Sequence, residues 1–235
     1  MRLYCGDSLL ALETGTSVGL TSAELVNQQA LELKKRVGAT SLIMLKQVHG
    51  ADGLIIETAE QAKNYKQLSF VGDYSITAVP DVGLVVFTAD CLPVIVHDKI
   101  HNVIGAAHVG WQGAVKEVVK KMLERMHILY GTQPHNLEVF FGPSALSCCY
   151  EIQKDFLKNL EQFSYAPVCL HKRDGKLFFD NRELVFQQLI ASGIAPEAIK
   201  KEYSACTIHN KQFCSYRRNP LSNLRQATVV SIQKY

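Results

Sequence analysis

Apolar residues recur along this chain with two different periods, and the alternation between them predicts the architecture. Ala23, Val26, Ala30, Leu33 and Val37 fall three or four positions apart and lead to Gly38, as in a helix that buries one face and stops at a glycine. Thr21 and Glu24 match a capping box at its start. Leu42 to Val48, Leu54 to Glu57, Leu84 to Ala89, Val94 to Val96, Val103 to Ala107 and Leu137 to Phe141 are short apolar runs that read as strands. Gly72 to Thr77 reads as a polar connection carrying Asp73. Val115, Val118, Val119, Met122 and Met126 mark one face of an amphipathic helix, and Ile152, Phe156, Leu160 and Phe163 mark another. Asp180 and Glu183 can cap a further helix through Leu184, Val185 and Leu189 that ends at Gly193.

Helices alternate with strands, and no fixed-period repeat, low-complexity segment or Pro-, Gly- or Ser-rich linker interrupts them. Residues 1–235 are therefore expected to form a single mixed α/β domain. At 235 residues and 47% hydrophobic content the chain can bury a core without cross-links. A net charge of +3, with basic clusters at Lys34-Lys35-Arg36, Lys120-Lys121 and Arg217-Arg218 far apart in sequence, argues against a nucleic-acid partner. The seven cysteines are irregularly spaced, with no CxxC, and read as reduced thiols. No charged leader precedes a long apolar segment, and no apolar run approaches the roughly 20 residues of a membrane span. A cytoplasmic protein with no membrane partner is the expectation, and the pattern specifies no oligomeric state.

No GxGxxG, P-loop, HExxH or GxSxG occurs, so dinucleotide binding, Walker-type phosphate binding, zincin chemistry and a nucleophile elbow lose their sequence support. What remains lies at strand ends. Asp90 and Cys91 follow the run Leu84 to Ala89, His108 follows Val103 to Ala107, and His49 precedes Gly50. Two imidazoles and a thiolate can hold Zn²⁺ as three protein ligands and leave the fourth tetrahedral position for water or substrate, the ligand count of a catalytic site. Asp90 suits a turn cap or a group that orients a metal-binding histidine. Asp73 suits a turn carboxylate or a general acid or base. Cys148 and Cys149 either pack or react at the head of the helix predicted after them. His97, His101, His127, His135, His171 and His209 have no supporting motif and read as surface or loop residues.

From about Asn27 onward several separate motifs follow in order: Gln47-Val48-His49-Gly50, Gly72-Asp73, Thr88-Ala89-Asp90-Cys91-Leu92-Pro93, Ala107-His108 with Gly110-Trp111, and Phe141-Gly142-Pro143-Ser144. Cys149-Tyr150-Glu151, Asp180, Cys206-Thr207 and Ser215-Tyr216-Arg217-Arg218 complete the set. In these the chain resembles the YfiH-like, or laccase-domain, proteins, whose members are described as multicopper polyphenol oxidases or as purine nucleoside phosphorylases. The resemblance implies a four-layer α/β/β/α architecture and a zinc site on His49, Cys91 and His108. It also implies phosphorolysis of adenosine, inosine, guanosine or methylthioadenosine, and deamination of adenosine. Other members are linked to peptidoglycan-precursor editing. Cys91, Asp73 and Asp90 are then the candidate catalytic residues, and Arg217, Arg218 and Gln112 the candidate substrate-binding ones.

Two departures bear on the phosphate. Gly110-Trp111-Gln112-Gly113 stands where the family usually has Gly-Trp-Arg-Gly, and its Ser-Thr-Arg-x-Gly-Gly segment has no match before Leu20. Each removes a guanidinium that could hold an anion through two parallel hydrogen bonds, leaving Arg217, Arg218 or Lys46 to compensate. Other readings of the same residues are a metal-free hydrolase with Cys91 as nucleophile and His108 as base, acting on an amide or peptidoglycan-precursor substrate, and a catalytically weak binding or scaffold protein. Copper chemistry on phenols ranks below these, because two histidines and one cysteine are too few ligands for a multicopper cluster, although a single copper could occupy the site.

Overall fold

The computed structural model describes residues 1–6, 12–13 and 23–234. In chain order its first half holds β1 (Arg2–Cys5), β2 (Leu12–Glu13), α1 (Ala23–Val37), β3 (Ser41–Met44), β4 (Gly53–Ile56), α2 (Ala59–Asn64), β5 (Tyr74–Thr77), β6 (Val82–Thr88), β7 (Leu92–Asp98) and β8 (Val103–Val109). The second half holds α3 (Trp111–Val115), α4 (Val118–Tyr130), β9 (Leu137–Phe141), β10 (Glu151–Ile152), β11 (Leu170–Arg173), β12 (Lys176–Phe179), α5 (Asn181–Ala191), β13 (Ile199–Lys200) and β14 (Leu224–Ser231). One sheet runs β1-β14-β6-β3, with β2 also paired to β14. A second runs β13-β9-β7-β8-β5-β4, and a small third sheet is β10-β12-β11.

The two-residue period of the strands explains the layering. Leu84 and Val86 of β6 share a core with Ile95 of β7, Ile104 and Ala106 of β8 and Val230 of β14, so this core lies between the two large sheets. The alternate residues Val85 and Phe87, with Ala227 and Val229 of β14, pack with Leu33 and Val37 of α1. On the far side, Val94 and Val96 of β7 and Val103 and Ala107 of β8 meet Met122 and Met126 of α4 and Leu184 and Val185 of α5. The order is α/β/β/α, as the resemblance implied. Each fully buried Leu, Ile or Val stabilises it by roughly 1.5–3 kcal/mol relative to exposure.

Most predicted elements form, and the differences have local causes. Thr21, on which the expected capping box depends, lies outside the described residues. The run Leu42 to Val48 pairs as a strand only through Met44. Beyond it the Gln47 side chain completes the edge of β6, its Nε2 donating to Phe87 O at 2.7 Å and its Oε1 accepting from Phe87 N at 2.8 Å. The expected connection Gly72 to Thr77 instead contains β5, buried throughout, because Ser75 and Thr77 lie between two paired neighbours and Thr77 Oγ1 donates to Ile56 O. The expected helix through Ile152 and Phe163 is the short strand β10 followed by a 3₁₀ helix, Lys154–Leu160, which has no side-chain cap at its start. Its aromatic side chain serves packing, with Phe156 at 5.2 Å from Trp111 and 5.0 Å from Phe179 between ring centroids.

Candidate metal centre and its cavity

Three strand ends meet at one point. Sheet register sets two of them, since β5 pairs with β8 as Tyr74↔Ala107 and β7 pairs with β8 as Leu92↔Val109. One step further along these ladders, Asp73 comes opposite His108 and Cys91 comes opposite Gly110. His49 arrives from the chain leaving β3, held at a positive φ of 58°. The ligand atoms of His49, Cys91 and His108 all lie within 4.8 Å of one another. Cys91 Sγ is 3.6 Å from His49 Nε2, and the two imidazoles meet edge to face with centroids 4.8 Å apart. Gly110 is the packing condition for this approach. A Cβ there would stand 2.5 Å from His49 Cδ2 and 3.1 Å from Cys91 Sγ.

Asp73 organises the centre from behind. Its carboxylate accepts from the backbone N–H of His49 at 2.9 Å and of Gly50 at 2.6 Å, lies 3.2 Å from the N–H of Val48, and pairs with His108 Nδ1 at 2.8 Å. These bonds hold the His49 turn in its left-handed conformation. They also direct the His108 Nδ1–H toward the accepting carboxylate, which leaves Nε2 as the ring nitrogen free to bind a metal. Burial raises the Asp73 carboxyl, but the hydrogen bond and charge of His108, with the N–H groups of Gly50 and Val48, outweigh it and hold the group below its ordinary value. Burial likewise pushes the Cys91 thiol up, but the His108 charge and the hydrogen bonds from both histidines bring it below the usual thiol range. Burial pushes His108 down, but the Cys91 charge and the Asp73 hydrogen bond carry it above the usual imidazole range. The two shifts have one cause, the mutual attraction of the Cys91 sulfur and the His108 ring across the centre. A thiolate and two imidazole nitrogens, one with its tautomer fixed by a carboxylate, fit a borderline divalent ion such as zinc.

The three side chains line a cavity of about 620 Å³, within the size range of small-molecule sites. Its walls include Leu45, Leu68, Phe87, Trp111 and Tyr150, with Lys46, Asp90, Gln112, Asn181, Arg217 and Arg225 among the polar lining. Asp73, rather than Asp90, is the carboxylate that pairs with a ligand imidazole. Asp90 Oδ1 instead accepts from Thr207 Oγ1 and its Oδ2 from the Arg217 backbone N–H, both at 2.7 Å. Arg217 stacks over the Tyr150 ring at 4.5 Å and donates to Glu151 O, while remaining on the cavity wall. Arg218, expected with it among the substrate-binding residues, is a clamp outside the lining. Its guanidinium donates to the carbonyls of Thr207, Ile208, Asn210 and Phe213 and closes the loop they form.

The centre therefore unites His49, Cys91, His108 and Asp73, and the cavity adds Asp90, Gln112 and Arg217. Asp73 itself does not line the cavity. Sequence reading missed Asn181 and Arg225. Asn181 donates through Nδ2 to Val109 O at 2.9 Å, while its Oδ1 is buried with no partner in the protein. No motif marks it, since it reads as the first residue after a helix cap.

A family model described as multi-copper polyphenol oxidoreductase laccase matches residues 8–233. The chain is 33% identical over 177 residues to a purine nucleoside phosphorylase of Borreliella burgdorferi, covering 74% of this chain and 72% of that protein. It is 29% identical over 209 residues to a purine nucleoside phosphorylase of Aquifex aeolicus, covering 86% and 94%. In fold it is similar to YlmD from Geobacillus stearothermophilus, at TM-score 0.80 and 23% identity over 94% of this chain and 85% of that one. It is also similar to the hypothetical protein YfiH of Bacillus licheniformis, at TM-score 0.79 and 22% identity over 94% and 85%. The family model extends through every strand end that builds the centre, and the chain belongs to the laccase-domain, or YfiH-like, family.

Proposed function

We propose that this chain is a zinc-dependent purine nucleoside enzyme, cleaving the glycosidic bond of adenosine, inosine, guanosine or methylthioadenosine with phosphate and also deaminating adenosine. The observation that carries the proposal is the convergence of His49, Cys91 and His108 on an aromatic-walled cavity with a cationic side. Relatives named as purine nucleoside phosphorylases support an enzyme of this kind.

His49, Cys91 and His108 would hold the zinc, which when bound supplies Lewis acidity at the position these three ligands leave open. Trp111, Tyr150 and Phe87 offer flat apolar surface to a purine, and the unpartnered Asn181 Oδ1 is an acceptor for a base N–H or a sugar hydroxyl. Lys46, Arg217 and Arg225 outnumber the single carboxylate of the lining, Asp90, so the cavity favours an anion. In phosphorolysis a phosphate oxygen bonds to the sugar C1′ as the bond to the purine nitrogen breaks, and the base leaves with the electron pair and gains a proton. The side chains contribute chiefly by holding the anion in line and the base in place. In deamination the oxygen of water bonds to the purine C6 as the C6–N bond breaks, the amino group gains a proton and leaves as ammonia, and Asp90 is the lining carboxylate within the cavity for proton movement. Asp73 serves as a positioning residue.

Chromatography of a nucleoside panel incubated with and without phosphate, using zinc-loaded and chelator-stripped protein, tests the proposal. Phosphate-dependent release of free base that falls on stripping is expected, together with loss of metal and activity in Cys91→Ala. Fully active, metal-free Cys91→Ala would overturn it.

One observation favours a second reading. Cys91, His108 and Asp73 also stand in the order of a nucleophile, a base and a group that orients the base. On this reading the chain is a metal-free hydrolase of an amide, and activity persists after complete metal removal while alkylation of Cys91 abolishes it.

A further inference from the structure

A second group of metal-capable side chains lies outside the centre described above. Cys148, Cys149 and Cys206 bring their sulfurs within 4.8 Å of one another, and among the described residues no carboxylate or imidazole joins them. Two segments distant in sequence supply them. The turn that carries Cys148 and Cys149 is closed by Cys149 N–H and Tyr150 N–H, both donating to Leu146 O at 2.9 Å, so neighbouring thiols point to one place. The short strand β10, and not the head of a helix, follows them, contrary to the sequence expectation. Cys206 comes from the other segment, which pairs with the first through Ser144 N–H to Ala205 O and Thr207 N–H to Ser144 O, each 3.0 Å.

Burial and the neighbouring sulfurs push the Cys148 thiol up to about 12, and burial holds Cys149 above its ordinary value, whereas Cys206 is held below it. Arg173 donates to the carbonyls of Ser147 and Cys148 at 2.7 and 3.0 Å, which fixes its positive charge beside the group. Backbone hydrogen bonds from Leu146, His209 and Ile208 reach the Cys206 sulfur and, despite burial, hold that thiol below its ordinary value. Cys148 is exposed and Cys149 and Cys206 are half-buried, so an ion can reach the site.

We infer that Cys148, Cys149 and Cys206 form a second metal site, which binds a thiophilic d¹⁰ cation of the Zn²⁺ or Cu⁺ class through three sulfurs. Three soft donors with no oxygen or nitrogen ligand select such ions over magnesium, calcium or manganese. The site is independent of the nucleoside chemistry, but it is placed to support it. Tyr150 follows Cys149 directly, and Thr207, which holds Asp90, follows Cys206, so the ion would staple together two walls of the cavity.

The test uses the full chain, reduced, stripped with a chelator and titrated with Cd²⁺ while the sulfur-to-metal charge-transfer band is followed. In Cys91→Ala, which removes the only thiol of the other centre, one equivalent of Cd²⁺ is expected to bind, with about three times the band of a single cadmium–thiolate bond. Zn²⁺ or Cu⁺ should displace it. Adding Cys148→Ser at the exposed thiol should cut the band by about one third and weaken binding roughly tenfold or more. Cys206→Ser provides a second variant if needed. No Cd²⁺ band in Cys91→Ala, or a band that neither serine substitution alters, overturns the inference. So does a reduced chain that binds no Cd²⁺ but joins two of the three thiols in a disulfide on peroxide treatment, which would make the cluster a redox pair.

Discussion

Asp73 Oδ1 stands 2.8 Å from Nδ1 of His108 across the β5–β8 pair, with both residues buried, and the same carboxylate holds the turn that delivers His49. One acidic side chain thereby sets the position of two of the three candidate ligands.

Asp73→Asn keeps an acceptor near the turn but loses the negative charge facing His108. Zinc affinity is expected to fall about 10- to 100-fold, the usual cost of removing a carboxylate that orients a metal-binding histidine. Competition with a chromogenic chelator measures it, and circular dichroism shows whether the fold persists. An unchanged affinity would mean that Asp73 serves the His49 turn alone.

Gly110→Ala is expected to damage the centre more than the fold. Its new methyl would occupy the space of His49 Cδ2 and Cys91 Sγ, side chains that must move apart to admit it. Metal content per chain should drop sharply while the melting temperature shifts by only a few degrees, corresponding to about 1–3 kcal/mol of overpacking. Full metal occupancy in this variant would show that the ligand set tolerates displacement.

Gln112→Arg restores a charged fork to the cavity wall. A charge-assisted hydrogen bond to phosphate contributes about 1.5–3 kcal/mol, so half-saturation by phosphate should fall by roughly one to two orders of magnitude. Adenosine deamination, which uses no phosphate, serves as the internal control. If the phosphate response stays the same, Lys46, Arg217 and Arg225 hold the anion without help from position 112.

Acid stability should depend on Asp98, far from the centre at the end of β7. Burial raises its carboxyl, but the hydrogen bond from the His101 ring, with others from the His101 and Ile100 N–H groups, outweighs it and holds the group below its ordinary value. A depressed folded-state value makes a contribution that is complete above the unfolded value and is lost as pH falls through the folded one. Urea midpoints of the parent should therefore decline below about pH 4 more steeply than those of Asp98→Asn, which is already weaker at neutral pH. Parallel curves for the two proteins would assign the acid limb to other carboxylates.

Local pattern was enough for the layers of this protein. Val85 and Phe87 face α1 while Leu84 and Val86 face the opposite sheet, because the pleat sends neighbours to opposite sides and both sides are apolar. Met122 and Met126 lie four apart and share a helical face, and Asp180 caps α5 by accepting from Glu183 N–H, since both relations act within a single turn. The motif residues His49, Cys91 and His108 were also legible as a set. What tertiary structure decided was their support. Asp73 sits in a stretch whose Ser75 and Thr77 look like loop residues, and their burial depends on strands 21 to 35 positions away in sequence, as the partners of Thr77 and His108 show. Arg217 and Arg218 are adjacent and identical in charge, yet one stacks on Tyr150 at the cavity and the other is consumed by four loop carbonyls. The three thiols likewise meet only because Ser144 pairs with Cys206. Periodicity records which way a side chain faces its own element, whereas partners remote in sequence are chosen by sheet register and loop closure, which no local window contains.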